Sequence, residues 1–198
     1  MNLPNKLSLL RICMVPLFVV AYFLPYKWGA FVAVALFILA AATDFLDGYI
    51  ARKYNMVTDL GKLLDPIADK VLVCAALFCV VATNPLQLSG YTWAATFGVI
   101  LLAVGGTVII SRELLISAVR MIAASKGVVV QANMFGKIKT VFQDVSLPML
   151  ILLAGVSTNS VFWTIWWWAA VLLFAVAVAF TIASGVIYLK QNKKVFSN

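Results

Sequence analysis

The chain has 198 residues, of which 64% are hydrophobic and 11% are charged, and its mean hydropathy is +1.05. This composition indicates an integral membrane protein rather than a soluble domain. The 15 Lys and Arg residues exceed the 7 Asp and Glu residues, and the absence of histidine excludes imidazole as a base, nucleophile or metal ligand.

The apolar segments predict six transmembrane helices in a single domain that covers residues 1–198. The two longest uncharged runs are each too long for one span, which takes about 20 residues of helix. Turn-forming residues near 84–90 and 155–160 divide them. The predicted fold is therefore an all-α membrane protein with a short interfacial segment before Leu7 and spans at 7–25, 29–54, 60–82, 91–120, 136–155 and 162–190.

The basic residues indicate how these helices are oriented. All but one of the 15 fall at helix ends that would share one side of the membrane, and the exception is Lys27. The positive-inside rule predicts that this side, with both termini, is cytoplasmic. Charges at helix ends suit anionic lipid headgroups, and no nucleic-acid partner is expected.

Five of the seven acidic residues lie between positions 44 and 69, and four of these five have helical spacing. Asp44 and Asp47 share one face of the second predicted helix, and Asp65 and Asp69 share one face of the third. A short loop makes these helices antiparallel neighbours, so the four carboxylates are predicted to converge. All-oxygen ligands favour Mg²⁺, Mn²⁺ or Ca²⁺, and Mg²⁺ commonly completes its shell with substrate phosphate oxygens. The pattern therefore indicates a divalent-metal site that binds a phosphorylated ligand.

Small and basic residues follow the first carboxylate pair. Gly48 and Ala51 project no bulky side chain, so that a ligand or another helix can approach the backbone closely. The planar guanidinium of Arg52 suits a phosphate group. The alternative is structural: the carboxylates would form salt bridges with basic residues at the same helix ends.

The acidic residues belong to a longer pattern that resembles the signature of the CDP-alcohol phosphotransferase family. All eight positions of that signature are present, as Asp44-x2-Asp47-Gly48-x2-Ala51-Arg52-x8-Gly61-x3-Asp65-x3-Asp69. Further similarity to bacterial members of the family extends over roughly residues 2–145 and is concentrated in four segments, 2–11, 43–53, 111–113 and 136–140.

The resemblance implies a fold and a reaction. It implies a homodimer of six-helix subunits in the bacterial inner membrane, each with a polar cavity open to the cytoplasm and to lipid. It further implies transfer of a phosphatidyl group from CDP-diacylglycerol to sn-glycerol 3-phosphate, which gives phosphatidylglycerol phosphate and CMP.

Roles for the acidic and nucleotide-site residues also come from the resemblance. Two metal ions, Mg²⁺ or Mn²⁺, would be bound by Asp44, Asp47 and Asp65. Asp69 would contact the second ion and act as the general base that takes the proton from the attacking 1-hydroxyl. The nucleotide site would be lined by Asn5, Thr43, Gly48, Ala51 and Arg52.

Four basic residues are implied to bind the acceptor's phosphate. Arg112 and Arg120 lie about two helical turns apart and can share a face. Lys137 and Lys139 open the fifth predicted helix on the same side of the membrane. The alternative interpretation is ordinary positive-inside charge. Glu113 would either orient one of the arginines or lie solvated at the helix end.

Two other functions remain open from the sequence. One is a sibling enzyme that uses phosphatidylglycerol, inositol phosphate or serine as the acceptor, although the four basic residues favour a phosphorylated one. The other is a cation transporter, for which carboxylates at the membrane midplane and matching broken helices in two halves would be expected. The carboxylates instead cluster at one predicted cytoplasmic end.

Overall fold

The computed structural model describes residues 3–25, 27–53, 59–86, 92–125, 134–155 and 161–192. These residues form six α-helices, which confirms the predicted order of elements. The largest difference is at the end of α4, predicted at 120 and found at Ser125. Residues 3–6 form the first turn of α1, so the N-terminal segment and the first span are one continuous helix. The helices are α1 (Leu3–Phe23), α2 (Lys27–Lys53), α3 (Asp59–Thr83), α4 (Thr92–Ser125), α5 (Met134–Gly155) and α6 (Val161–Gln191).

Apolar length distinguishes these helices from one another. Within the described residues, four are long and apolar enough to cross a bilayer, namely α1, α4, α5 and α6. Among the described residues of α2 and α3, the apolar stretches are Trp28–Asp44 and Lys70–Thr83. The chain is a multi-pass membrane protein.

The helices divide into two compact units. The first comprises Met1–Pro85 and Pro148–Trp163, and the second comprises Leu86–Leu147 and Thr164–Asn198. In the first unit α1 packs against both α2 and α3, which also contact each other. The acidic motif therefore lies in the first unit, and the four basic residues assigned to the acceptor lie in the second.

Aromatic and hydrogen-bonding contacts hold α1 in the first unit. The rings of Phe18 on α1 and Phe37 on α2 are 6.2 Å apart. The Tyr22 hydroxyl lies 2.6 Å from Thr83 Oγ1 at the end of α3. α3 ends here because Asn84 adopts a left-handed backbone with φ of 44°, while its N–H closes the last turn on the Val80 carbonyl at 3.0 Å. These contacts fix the second half of α1 beside α2 and α3.

Close packing of α4 on α6 organises the second unit. A Cβ atom added at Gly105 would lie 2.7 Å from Phe174 Cε1 and 2.9 Å from Val178 Cγ2, so only glycine fits this contact. Nearer the basic residues, Ile116 packs on Tyr188, and both are buried. The packing brings the end of α4 that carries the basic residues against the last turns of α6.

Gly105→Val is expected to destabilise the second unit. Phe174 is fully buried and cannot move away from the added methyl groups, so the variant overpacks the interface by about 1–3 kcal/mol. We expect the melting temperature in detergent to fall by roughly 5 °C. Val104→Ile is the control, because the neighbouring Val104 is 58% exposed and can accept the extra carbon. Equal melting temperatures for the two variants would contradict this packing.

Candidate active site

An ion pair joins α1 and α2 at the first aspartate of the acidic motif, the one whose side chain the structure describes. Arg11 Nη1 donates to Asp44 Oδ1 at 2.6 Å. Arg11 Nε donates to the Ala40 carbonyl at 3.1 Å and lies 3.5 Å from Thr43 Oγ1. Thr43 in turn donates to the same carbonyl at 2.6 Å. The guanidinium is therefore anchored along one side of α2, with the first residue of the acidic motif at its end.

Burial makes this ion pair asymmetric. The Arg11 side chain is 0% exposed and the Asp44 side chain is 45% exposed. Asn5 and Ser8, on the same helix as Arg11, are also buried. A charged side chain inside an apolar bundle is costly without an anion, so Asp44 offsets the desolvation of Arg11. At the same time Asp44 remains accessible to a cation.

For the other three predicted metal ligands, the structure gives only the helix on which each residue lies. Asp47 follows Asp44 in α2, and Asp65 and Asp69 lie in α3, which packs against α2. Their side chains are outside the described ones. Among the side chains that the structure describes, no three acidic or cysteine groups lie close enough to hold a metal ion. Convergence of all four carboxylates therefore stays a prediction.

The chemistry of Asp44 fits a divalent cation. Its half-exposed carboxylate is held at one oxygen by Arg11, which fixes its orientation. It begins a motif of four aspartates on two contacting helices, a ligand set made only of oxygen atoms. Such a set suits Mg²⁺ or Mn²⁺ better than zinc.

The predicted nucleotide-binding residues fall on α1 and α2. Asn5 and Thr43 are buried, and Thr43 contacts Arg11 as described above. Gly48, Ala51 and Arg52 continue α2 beyond the first carboxylate pair. The side chains of Ala51 and Arg52 lie outside the described ones, so the nucleotide contacts stay predictions.

A second charged cluster lies in the second unit, where α4 meets the start of α5. Glu113 Oε1 accepts a hydrogen bond from Arg112 Nη1 at 2.8 Å and another from Lys139 Nζ at 2.6 Å. Lys139 is 3% exposed, and Arg112 and Glu113 are 15% and 24% exposed. One carboxylate therefore joins two of the predicted phosphate-binding cations. Of the two sequence interpretations of Glu113, the structure supports the one in which it orients an arginine.

The Arg112 guanidinium occupies a narrow slot beside α5 and α6. Nη2 donates to Ser184 Oγ at 3.1 Å, and Ser184 donates to the Thr181 carbonyl at 3.0 Å. A Cβ atom at Gly136 would lie 3.1 Å from Nη2, and one at Gly185 would lie 3.4 Å from the Arg112 Cγ. Small residues on both helices therefore leave room for the side chain.

The other two predicted phosphate-binding residues have different surroundings. The Arg120 guanidinium lies 5.9 Å from the centre of the Tyr188 ring, on the α6 side of α4. This agrees with the expectation that Arg112 and Arg120 share a face. Lys137 is exposed, whereas Lys139 is buried. Helix geometry explains the difference, because residues two positions apart point in different directions. The structure thus joins Arg112 with Lys139 and does not bring Lys137 into that cluster.

Arg11 and Ser184 are site residues that the sequence interpretation missed. Arg11 was assigned to membrane orientation alone, yet it is fully buried and holds Asp44. A signal was present, because Arg11 lies inside an apolar run, where a basic residue needs a partner. Ser184 lies in the apolar α6 and had no recognisable motif around it.

Comparisons with known proteins identify the family of this chain. The model of a family described as CDP-alcohol phosphatidyltransferase matches residues 1–183, which contain the complete motif. The chain is 41% identical to the CDP-diacylglycerol–glycerol-3-phosphate 3-phosphatidyltransferase of Bacillus subtilis strain 168, over 96% of this chain and 95% of that one. It is 35% identical to proteins of the same name from Escherichia coli K12 and Salmonella typhimurium LT2, over 97% of this chain and 95% of each relative. The chain therefore belongs to the CDP-alcohol phosphatidyltransferase family.

Proposed function

We propose that this protein transfers the phosphatidyl group of CDP-diacylglycerol to sn-glycerol 3-phosphate and releases CMP. The observation that carries the proposal is the complete acidic motif in a chain that matches, over nearly its whole length, relatives named for this reaction. The buried Arg112 and Lys139 support an acceptor that carries a phosphate. The family match covers both compact units, which supports one catalytic domain.

The acidic motif of the first unit would bind the donor, CDP-diacylglycerol. Two divalent ions, Mg²⁺ or Mn²⁺, would be held by Asp44, Asp47, Asp65 and Asp69. Bound metal would neutralise the pyrophosphate and stabilise the oxygen that leaves with CMP. Arg11 supports this role because its contact with Oδ1 orients the Asp44 carboxylate. The nucleotide would be bound by Asn5, Thr43, Gly48, Ala51 and Arg52.

The reaction is a direct displacement at the β-phosphorus of CDP-diacylglycerol. The 1-hydroxyl oxygen of glycerol 3-phosphate forms a bond to this phosphorus while Asp69 accepts its proton. The bond between the phosphorus and the bridging oxygen breaks, and its electron pair leaves with CMP. No covalent enzyme intermediate is required, which is consistent with a chain that lacks histidine.

The basic residues of the second unit would bind the acceptor. Arg112 and Lys139 would bind the phosphate of glycerol 3-phosphate, helped by Arg120 and Lys137. Arg112 suits this role because Ser184 and Glu113 fix its guanidinium, which can present a fork of donors to phosphate oxygens.

The cellular setting follows from the charge pattern and the relatives. The bacterial relatives and the positive-inside distribution support a bacterial inner-membrane protein with both termini and the site on the cytoplasmic side. A homodimer is part of the proposal by resemblance to the family.

A competition between acceptors tests the proposed substrate. Purified protein in detergent would receive CDP-diacylglycerol, Mg²⁺ and equal concentrations of glycerol 3-phosphate, inositol phosphate, serine and phosphatidylglycerol. We expect the lipid product to come from glycerol 3-phosphate. If most of the product came from another acceptor, the family assignment would stand, but glycerol 3-phosphate would not be the substrate. Absence of any lipid product, together with ion flux in vesicles that contain the reconstituted protein, would instead support the transporter.

A further inference from the structure

Glu113 is the carboxylate at the centre of the basic cluster in the second unit. Its Oε1 atom accepts from Arg112 Nη1 at 2.8 Å and from Lys139 Nζ at 2.6 Å. Both bonds are short and charge-assisted, a type about twice as strong as neutral hydrogen bonds. A single oxygen atom thus sets the separation between a cation on α4 and a cation on α5.

Burial makes Lys139 dependent on this carboxylate. Lys139 is 3% exposed, and an ammonium group withdrawn from water needs a nearby anion to remain charged and ordered. Lys137, on the same helix, is exposed and has water available. Loss of the carboxylate should therefore disturb Lys139 far more than Lys137.

Arg112 also donates to Ser184 and lies close to two glycines, so this side of the cluster is rigid. Its Nη2 donates to Ser184 on α6, and Gly136 and Gly185 leave only the space that the side chain fills. Glu113 connects Lys139 to this fixed guanidinium. The cluster of two cations and one anion keeps a net charge of +1 toward an incoming phosphate.

We propose that Glu113 is a positioning residue that fixes Arg112 and Lys139 at the separation required to bind the acceptor's phosphate. This inference rests on the proposed function, since it takes glycerol 3-phosphate as the acceptor. Glu113 does not touch substrate in this scheme. It acts through the two cations, and its own negative charge slightly opposes phosphate binding.

Two alternative roles for Glu113 predict opposite changes in the KM for glycerol 3-phosphate. If its charge acted only as a competing anion, removing it would strengthen phosphate binding and lower the KM for glycerol 3-phosphate. If it positions the cations, removing it loosens Lys139 and raises that KM. The sign of the change therefore distinguishes the two roles.

The test is steady-state kinetics of Glu113→Gln in detergent at saturating Mg²⁺. We expect the KM for glycerol 3-phosphate to rise about 10-fold or more, the size of one charge-assisted contact, with little change in the KM for CDP-diacylglycerol or in kcat. Glu113→Asp keeps the charge but is one methylene too short to reach both cations, so an intermediate rise is expected. It also provides a second variant if Glu113→Gln folds poorly.

Asp144→Asn is the matched control, because it removes one negative charge from an exposed position on α5. Its KM for glycerol 3-phosphate should equal that of the wild type. An unchanged or lowered KM in both Glu113 variants would overturn the positioning role. Failure of the wild type to use glycerol 3-phosphate would overturn the proposed function instead, and it would be seen before any variant is compared.

Discussion

Asp44→Asn is expected to lower the rate of phosphatidyl transfer by about 10²–10³-fold, the equivalent of several kcal/mol of transition-state stabilisation. The variant loses a charged ligand of the proposed metal site. It also removes the anion that Arg11 Nη1 contacts at 2.6 Å, and the Arg11 side chain is 0% exposed. Both effects act on the proposed binding of CDP-diacylglycerol, the phosphatidyl donor.

The measurement is the initial rate as a function of Mg²⁺ concentration. Loss of a ligand should raise the Mg²⁺ concentration needed for half-maximal rate as well as lower the maximum. Asp59→Asn is the control, because it neutralises the aspartate at the start of α3, which lies outside the motif. An Asp44→Asn rate above half of the wild-type value would exclude Asp44 from the metal site.

Asp69→Asn is expected to reduce kcat by about 10²–10⁴-fold, the usual contribution of a general base. The amide cannot take the proton from the attacking 1-hydroxyl. Because Asp69 is also proposed to contact the second metal ion, the rate should be measured at Mg²⁺ concentrations that saturate the variant. A loss that persists there supports the base. Full recovery at high Mg²⁺ would limit Asp69 to metal binding.

Helix positions could be predicted from the sequence because hydrophobic length and turn residues dominate a membrane chain. The division of one long apolar run at Asn84 is an example, since Asn84 does adopt the left-handed conformation that ends α3. The predicted end of α4 at position 120 is too early. In the structure its guanidinium lies over the Tyr188 ring, and the helix continues to Ser125.

The candidate site was predictable where its residues are close in sequence. The acidic motif has regular helical spacing, so the sequence predicts a divalent-metal site there, and this site stays a prediction. The Arg11–Asp44 pair and the Glu113–Lys139 pair each join different helices, and sequence spacing carries no direct information about such contacts. The family resemblance groups Lys137 with Lys139, although their spacing of two residues already places them on different faces of α5.

The most direct test of the central claim is the stoichiometry of the two products. Wild-type protein in detergent would be given CDP-diacylglycerol, Mg²⁺ and labelled sn-glycerol 3-phosphate, and labelled lipid and CMP would both be quantified. We expect one CMP for each labelled lipid, and neither product when glycerol 3-phosphate is omitted. CMP release without labelled lipid would indicate a hydrolase, and absence of both products would contradict phosphatidyl transfer altogether.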